Sequence, residues 1–135
     1  MLSKRTKYGL KALAFIARNC EGNPVAVSEI AKSENIPQKF LESILLTLRK
    51  SGVLSSKKGK GGGYYLLKPP EEVPMTDIIR VLEGPIAMLP CVSLNYYEKC
   101  ADCPNEQTCK VNKLMVKVRD NTLEVFRNNT LADLA

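Results

Sequence analysis

Histidine is absent from all 135 residues of this chain. Its absence removes the commonest general base and the commonest nitrogen ligand for a metal. No serine or cysteine stands in a base-pairing pattern that would activate it as a nucleophile, so an enzyme is not expected. Uninterrupted runs of eighteen apolar residues are missing too, which excludes a membrane-spanning helix. The start, Met1-Leu2-Ser3-Lys4-Arg5, turns amphipathic at once and lacks the apolar core of a secretion signal. The expected compartment is the cytoplasm, where thiols stay reduced. Repeats and low-complexity tracts are also missing. What remains, 44% hydrophobic and 25% charged, is the composition of an ordinary globular protein of a length that suits one compact domain.

Against the missing histidine stands a crowd of cysteines. Four of the five fall in the pattern Cys91-x8-Cys100-x2-Cys103-Pro104-x4-Cys109. In a reducing compartment so dense a set points to metal binding or redox sensing rather than structural disulfides. Thiolates are soft ligands, suited to an iron–sulfur centre or to zinc. Cys100 and Cys103, two residues apart, form a Cys-x-x-Cys pair that could instead oxidise to a disulfide. Cys20 lies near the stripe made by Leu13 and Ile16 and reads as a small buried hydrophobe.

Charge is divided unevenly. Residues 1–68 hold 13 Lys/Arg against 4 Asp/Glu, while residues 69–135 hold 7 against 10. The first half is therefore a candidate polyanion-binding surface.

Ser3 is placed to cap a helix carrying Tyr8, Ala12, Phe15, Ile16 and Asn19 at helical spacing, stopped by Glu21-Gly22. After an Asn23-Pro24 turn, Ser28 is expected to cap a short helix from Glu29 to about Ser33. Pro37 suits the first turn of the next helix, where Phe40, Leu41, Ile44, Leu45 and Leu48 form one apolar stripe that ends at Ser51-Gly52. Two short helices joined this way read as a helix-turn-helix. Val53–Lys57 and Tyr64–Leu67 then read as strands around Lys58-Gly59-Lys60-Gly61-Gly62-Gly63, a glycine-rich tip flanked by lysines that serve no packing purpose. A phosphate-cradling loop is disfavoured there, because no Gly-Lys-Ser/Thr opens a helix afterwards. The helix-turn-helix and its hairpin together make a winged helix.

Thr76 is expected to cap a helix from Asp77 to Leu82, ended by Glu83-Gly84-Pro85. The stretch from Ile86 to Thr108 has little periodicity and holds the cysteines; loops this long are usually functional. From Lys110, the residues Val111, Leu114, Met115, Val118, Thr122, Val125 and Phe126 repeat every three or four positions. This predicts a long amphipathic helix suited to pairing with a second copy and broken at Asn128-Asn129. The fold class is thus mainly α with a small β-hairpin wing, a winged helix-turn-helix followed by a long C-terminal dimerisation helix. Residues 1–84 would form the DNA-binding region, 85–109 a sensor loop, and 110–135 the dimerisation helix and tail.

Four segments carry a resemblance to a known family: Val27-Ser28-Glu29-Ile30-Ala31, Ile36-Pro37-Gln38-Lys39-Phe40-Leu41-Glu42, Leu48-Arg49-Lys50-Ser51-Gly52-Val53, and Lys58-Gly59-x-Gly61-Gly62-Gly63-Tyr64-x-Leu66. In order and spacing, and with the cysteine loop, the chain resembles the bacterial family that includes IscR, NsrR, RirA and CymR. The resemblance runs almost its whole length and implies a dimeric winged-helix transcription regulator. It implies, further, that Cys91, Cys103 and Cys109 stand where several members bind a [2Fe–2S] or [4Fe–4S] cluster, whereas CymR-like members bind none. Cys100 is additional, a candidate fourth ligand. Where members supply a histidine after the last cysteine, or an acid from the partner's first helix, this chain has Asn112 and Lys7-Tyr8.

The expected function is a homodimeric regulator of DNA whose affinity depends on that cluster. A cluster-free thiol switch and a structural zinc held by Cys91, Cys100, Cys103 and Cys109 are the alternatives. Gln38, Lys39, Glu42 and Ser43 lie off the apolar stripe and would meet base edges in the major groove. Lys57, Lys58 and Lys60 on the wing would meet phosphates or the minor groove. A dimer with two such readers implies a near-palindromic double-stranded operator.

Overall fold

The computed structural model describes residues 2–19 and 22–135. The expectations for Cys20 and for Glu21 in the first helix stop lie outside the described residues. Five α-helices and a two-stranded hairpin follow in the order α1 (Lys4–Asn19), α2 (Val27–Glu34), α3 (Gln38–Lys50), β1 (Leu54–Lys57), β2 (Gly63–Leu66), α4 (Met75–Leu82) and α5 (Lys110–Arg127), with short 3-10 turns between and after them. The helix-turn-helix, the hairpin and the long last helix all stand where the sequence puts them.

The core is built where the apolar stripes meet. Leu13 and Ile16 of α1, Ile30 of α2, Leu41, Ile44, Leu45 and Leu48 of α3, Leu54 of β1 and Ile78 of α4 are all fully or almost fully buried together. Phe40, expected in the α3 stripe, sits instead at its margin, 36% exposed, with its ring edge-on to Tyr8 at 5.7 Å. Gly9, deep in α1, has a packing reason: a Cβ there would come within 2.6 Å of a Leu82 methyl. Its bare backbone lets α4 lie directly on α1.

The wing is fastened at its base. β1 and β2 pair antiparallel from Leu54↔Leu66 to Lys57↔Gly63. Beyond them, Val25 and Tyr64 exchange two backbone hydrogen bonds of 2.8 Å each, adding the segment before α2 to the sheet. Gly63 makes this approach possible, since a Cβ would lie 2.2 Å from the Val25 carbonyl oxygen and the residue holds φ +151.

Two helix starts differ from expectation. Ser28 and Thr76 lie inside the first turns of α2 and α4, whose N-cap positions are Ala26 and Pro74, neither with a side-chain cap. A residue-type rule places caps by side chain alone, and here the extended backbone of Ala26 and Pro74 sets the boundary. In α5 the buried position is Leu123, 2% exposed, rather than its neighbour Thr122. After α5 the chain returns to the main body. Met75 N–H donates to Asn129 O at 3.0 Å, Leu131 N–H donates to Val73 O at 2.9 Å, and Leu131 is fully buried in the core.

Ser3 does cap α1, its Oγ accepting from Thr6 N–H at 3.2 Å. Glu83, just after α4, completes the cap from a distance. Its carboxylate accepts from Ser3 N–H at 3.0 Å, from Ser3 Oγ–H at 2.8 Å and from the Thr6 hydroxyl. The Thr6 and Ser3 hydrogen bonds hold the Glu83 carboxyl below its ordinary range. Glu83→Gln should therefore cost about 0.5–1 kcal/mol of stability, a helix-capping contribution discounted for exposure. Because the folded pKa is depressed, that stability is full above the unfolded carboxylate pKa and disappears as pH falls through the folded value. Thermal melts of the two proteins should differ at neutral pH and converge in acid. A gap that persists unchanged into acid would contradict the cap.

Candidate DNA interface and cysteine cavity

Burial of one face of α3 decides what the other face offers. Gln38 and Lys39 in its first turn, and Glu42 and Ser43 in its second, are all exposed. Gln38 Nε2 donates to Glu42 Oε1 at 3.4 Å, so these two side chains are presented as a linked pair. Leu46 continues the same outward face, 37% exposed, and offers an apolar contact among the polar ones. On the wing, Lys57, Lys58 and Lys60 are exposed around a tip closed by Gly62 N–H donating to Gly59 O at 3.0 Å.

Two arginines brace this surface, and reasoning from sequence assigned them no role. Arg5 of α1 donates from Nη2 to Thr47 Oγ1 of α3 at 2.7 Å, and Arg49 of α3 donates from Nη1 to Ser56 Oγ of β1 at 3.2 Å. The basic character of the first half was legible; which cations brace rather than project was not, because no spacing marks a partner 42 residues away.

The second site lies in the long connection. Cys91, Cys100, Cys103 and Cys109 line one open-sided cavity of about 500 Å³, with Asp102, Glu106 and Asn112 among the other lining residues. All four thiols are free and partly buried. Cys91 sits in a 3-10 turn, Pro90–Val92, pinned to α5 by Arg119 Nη1 donating to Val92 O at 2.9 Å. Cys109 is the N-cap of α5, its Sγ accepting from Asn112 N–H at 3.4 Å. The Asn112 side-chain amide also donates to Cys91 Sγ at 3.3 Å. One asparagine thus directs N–H donors at two of the sulfurs.

Cys100 shares the cavity wall with Cys91 and Cys103. Burial pushes the Cys100 thiol up, and neighbouring Cys91, Asp102 and Cys103 add to it, with a hydrogen bond to Cys91 among the causes. Cys103 is related to it through the backbone, donating N–H to Cys100 O at 3.3 Å. Tyr97 O–H donates to Glu106 Oε2 at 2.9 Å, and that bond, more than burial, raises the tyrosine pKa.

In kind, this donor set fits an iron–sulfur group: thiols as soft ligands, amide donors on the sulfurs, and a cavity many times the roughly 30 Å³ share of one water molecule. It is not gathered for a single ion, since among the described residues no three His, Cys, Asp or Glu side chains form a group able to hold one metal ion. Nor is any helix of the described residues long and apolar enough to cross a membrane.

A family model described as "Rrf2: Iron-dependent Transcriptional regulator" matches residues 2–135. An rrf2-like HTH-type transcriptional regulator of Rhodobacter capsulatus is 40% identical over 137 residues, which span 99% of this chain and 91% of that protein. The solved structure of CymR from B. subtilis, described as its global cysteine regulator, aligns with a TM-score of 0.80 and 32% identity, covering 100% of this chain and 95% of that one. IscR of T. potens aligns with a TM-score of 0.76 and 28% identity, over 99% of this chain and 85% of that one.

Replacing Lys58 and Lys60 together by Ala should weaken binding to specific and random duplexes by similar factors. It should also reduce the slope of log K against log salt by about one per lost phosphate contact. Fluorescence anisotropy across a salt series checks this, and an unchanged slope would remove the wing tip from the interface.

Proposed function

The chain belongs to the Rrf2 family of transcriptional regulators, and from that membership we propose that it is a homodimeric DNA-binding regulator whose operator affinity is set by an iron–sulfur cluster in the cysteine cavity. One observation carries this reading: the four cysteines, spread over nineteen positions of sequence, line one cavity. Cys91, Cys103 and Cys109 would hold the cluster, with Cys100 as a further thiol within the same cavity. When bound, such a cluster supplies a one-electron centre whose potential follows its ligands and the hydrogen bonds to its sulfurs. Asn112 is the residue that supplies those hydrogen bonds.

Dimerisation is supported by α5. Val111, Leu114 and Val125 are each more than half exposed along it. An apolar groove that includes Ile79, Ile86, Met88, Val118 and Phe126 runs beside it. A second copy would cover both. Two readers would then face a near-palindromic operator, with Gln38, Lys39, Glu42 and Ser43 at base edges and Lys57, Lys58 and Lys60 on the backbone. Cys109 supplies the route between sensor and reader. Its sulfur caps the pairing helix, so a change in what that sulfur binds changes the first turn of α5.

A second reading is a cluster-free thiol switch. It is favoured by Cys100 and Cys103, a Cys-x-x-Cys pair, lining the same cavity, and by the likeness to CymR. Loss of two protons and two electrons to a peroxide-class oxidant would join those two sulfurs.

Anaerobic purification with iron, sulfide and zinc analysis separates the readings. We expect iron and labile sulfide in matching amounts, visible absorption, and operator affinity that changes at least about tenfold on cluster removal, a typical coupling of 1–3 kcal/mol. A colourless protein after anaerobic reconstitution would overturn the cluster; a mass loss of two hydrogens on oxidation would then support the switch, and one bound zinc a structural site.

A further inference from the structure

Glu106 is the one residue among those described with a buried side-chain oxygen or nitrogen that has no hydrogen-bond partner. Its Oε1 is closed off from solvent and unpaired. The same side chain lines the cysteine cavity. Its other oxygen is fixed by the Tyr97 hydroxyl at 2.9 Å. Its backbone is fixed as well: Glu106 opens the 3-10 turn Glu106–Thr108, the Asn105 side chain caps that turn by accepting from Gln107 N–H at 3.0 Å, and Glu106 O accepts from Cys109 N–H at 3.1 Å. A carboxylate is therefore fixed at the wall of the cysteine cavity, with one oxygen left over.

Leaving a buried carboxylate oxygen without a donor is costly. A cation removes the cost, and the cavity beside it is lined by thiols that would hold a cationic metal centre. We propose that Glu106 Oε1 is the fourth ligand of the metal group held by Cys91, Cys103 and Cys109, with Tyr97 as its positioning residue. The inference rests on the cluster reading and completes it. The positions where family members supply a histidine or a partner's acid hold Asn112 and Lys7-Tyr8 here. Asn112 already donates to two sulfurs and is occupied in that role. With Glu106 the site is complete within one chain, three soft thiolates and one harder oxygen. Such a set leaves one metal atom distinct from the others and its bond the more easily exchanged.

The test uses the full-length protein, reconstituted anaerobically with ferrous iron and sulfide, as wild type, Glu106→Gln, Glu106→Cys and Cys100→Ser. Circular dichroism checks that each is folded. Mössbauer spectra of the wild type should contain one iron environment distinct from all-thiolate iron. Glu106→Gln should lose that environment and release iron to a chelator on the order of tenfold faster. Glu106→Cys should restore slow release with an all-thiolate spectrum and a lower reduction potential, and Cys100→Ser should match the wild type. Wild-type-like spectra and release in Glu106→Gln, or fast release in Cys100→Ser alone, would give the fourth position to Cys100 and overturn the proposal. Fast release in both glutamate variants would reduce Glu106 to a structural part and overturn it equally. A wild type that takes up neither iron nor sulfide would be recognisably different, since the cluster reading itself would then fall.

Discussion

Everything this protein can do to DNA depends on one buried stripe. Leu41, Ile44, Leu45 and Leu48 take one face of the thirteen-residue helix α3 entirely out of water. At roughly 1.5–3 kcal/mol for each buried side chain, an upper bound, their burial outweighs any single polar contact in the region. The helix therefore cannot rotate without exposing them, and its other face is fixed as the outward one. The Arg5–Thr47 and Arg49–Ser56 bonds refine that orientation but do not create it. The wing is held by a different device, two backbone hydrogen bonds to Val25 that only a glycine at position 63 allows. Helix and wing are thus separate elements held to one frame.

The long connection that holds the cysteines is built on the opposite plan. Between Gly84 and α5 few side chains are buried; Val92 and Ser93 are the fully enclosed ones. Order there comes from hydrogen bonds: Arg119 to Val92, Asn112 to two sulfurs, Tyr97 to Glu106. Segments held by a few polar contacts open at low free energy.

Much of this was legible in sequence because it is periodic. The stripe of α3, the glycine-rich tip and the pattern of α5 repeat at spacings that physics ties to helices and hairpins. What escaped has no period. Helix starts at Ala26 and Pro74 are set by backbone, not by the Ser28 and Thr76 that residue preference favours. Leu123 rather than Thr122 is the buried position of α5, and the stripe alone does not mark it. Glu83 capping α1 from 80 residues away, and Glu106 set beside four cysteines, are single acids in loops. Only the folded chain brings them to their partners. The family and the winged-helix fold could be read early; the finishing residues of the cavity could not.

Leu131 carries a consequence of another kind. Because the tail after α5 is stitched to Val73 and Met75, the chain leaves the main body after α4 and re-enters it at Asn129. The cysteine loop and α5 are therefore a closed excursion with both ends moored. Most of the entropy of bringing those ends together is already lost when the body folds, so ordering the loop around a bound group faces a smaller residual cost. Whatever the cavity binds then acts on slack within a fixed span. Its effect would be a change of tension along that span, felt at α4 and at the tail, and not the swing of one free domain against another.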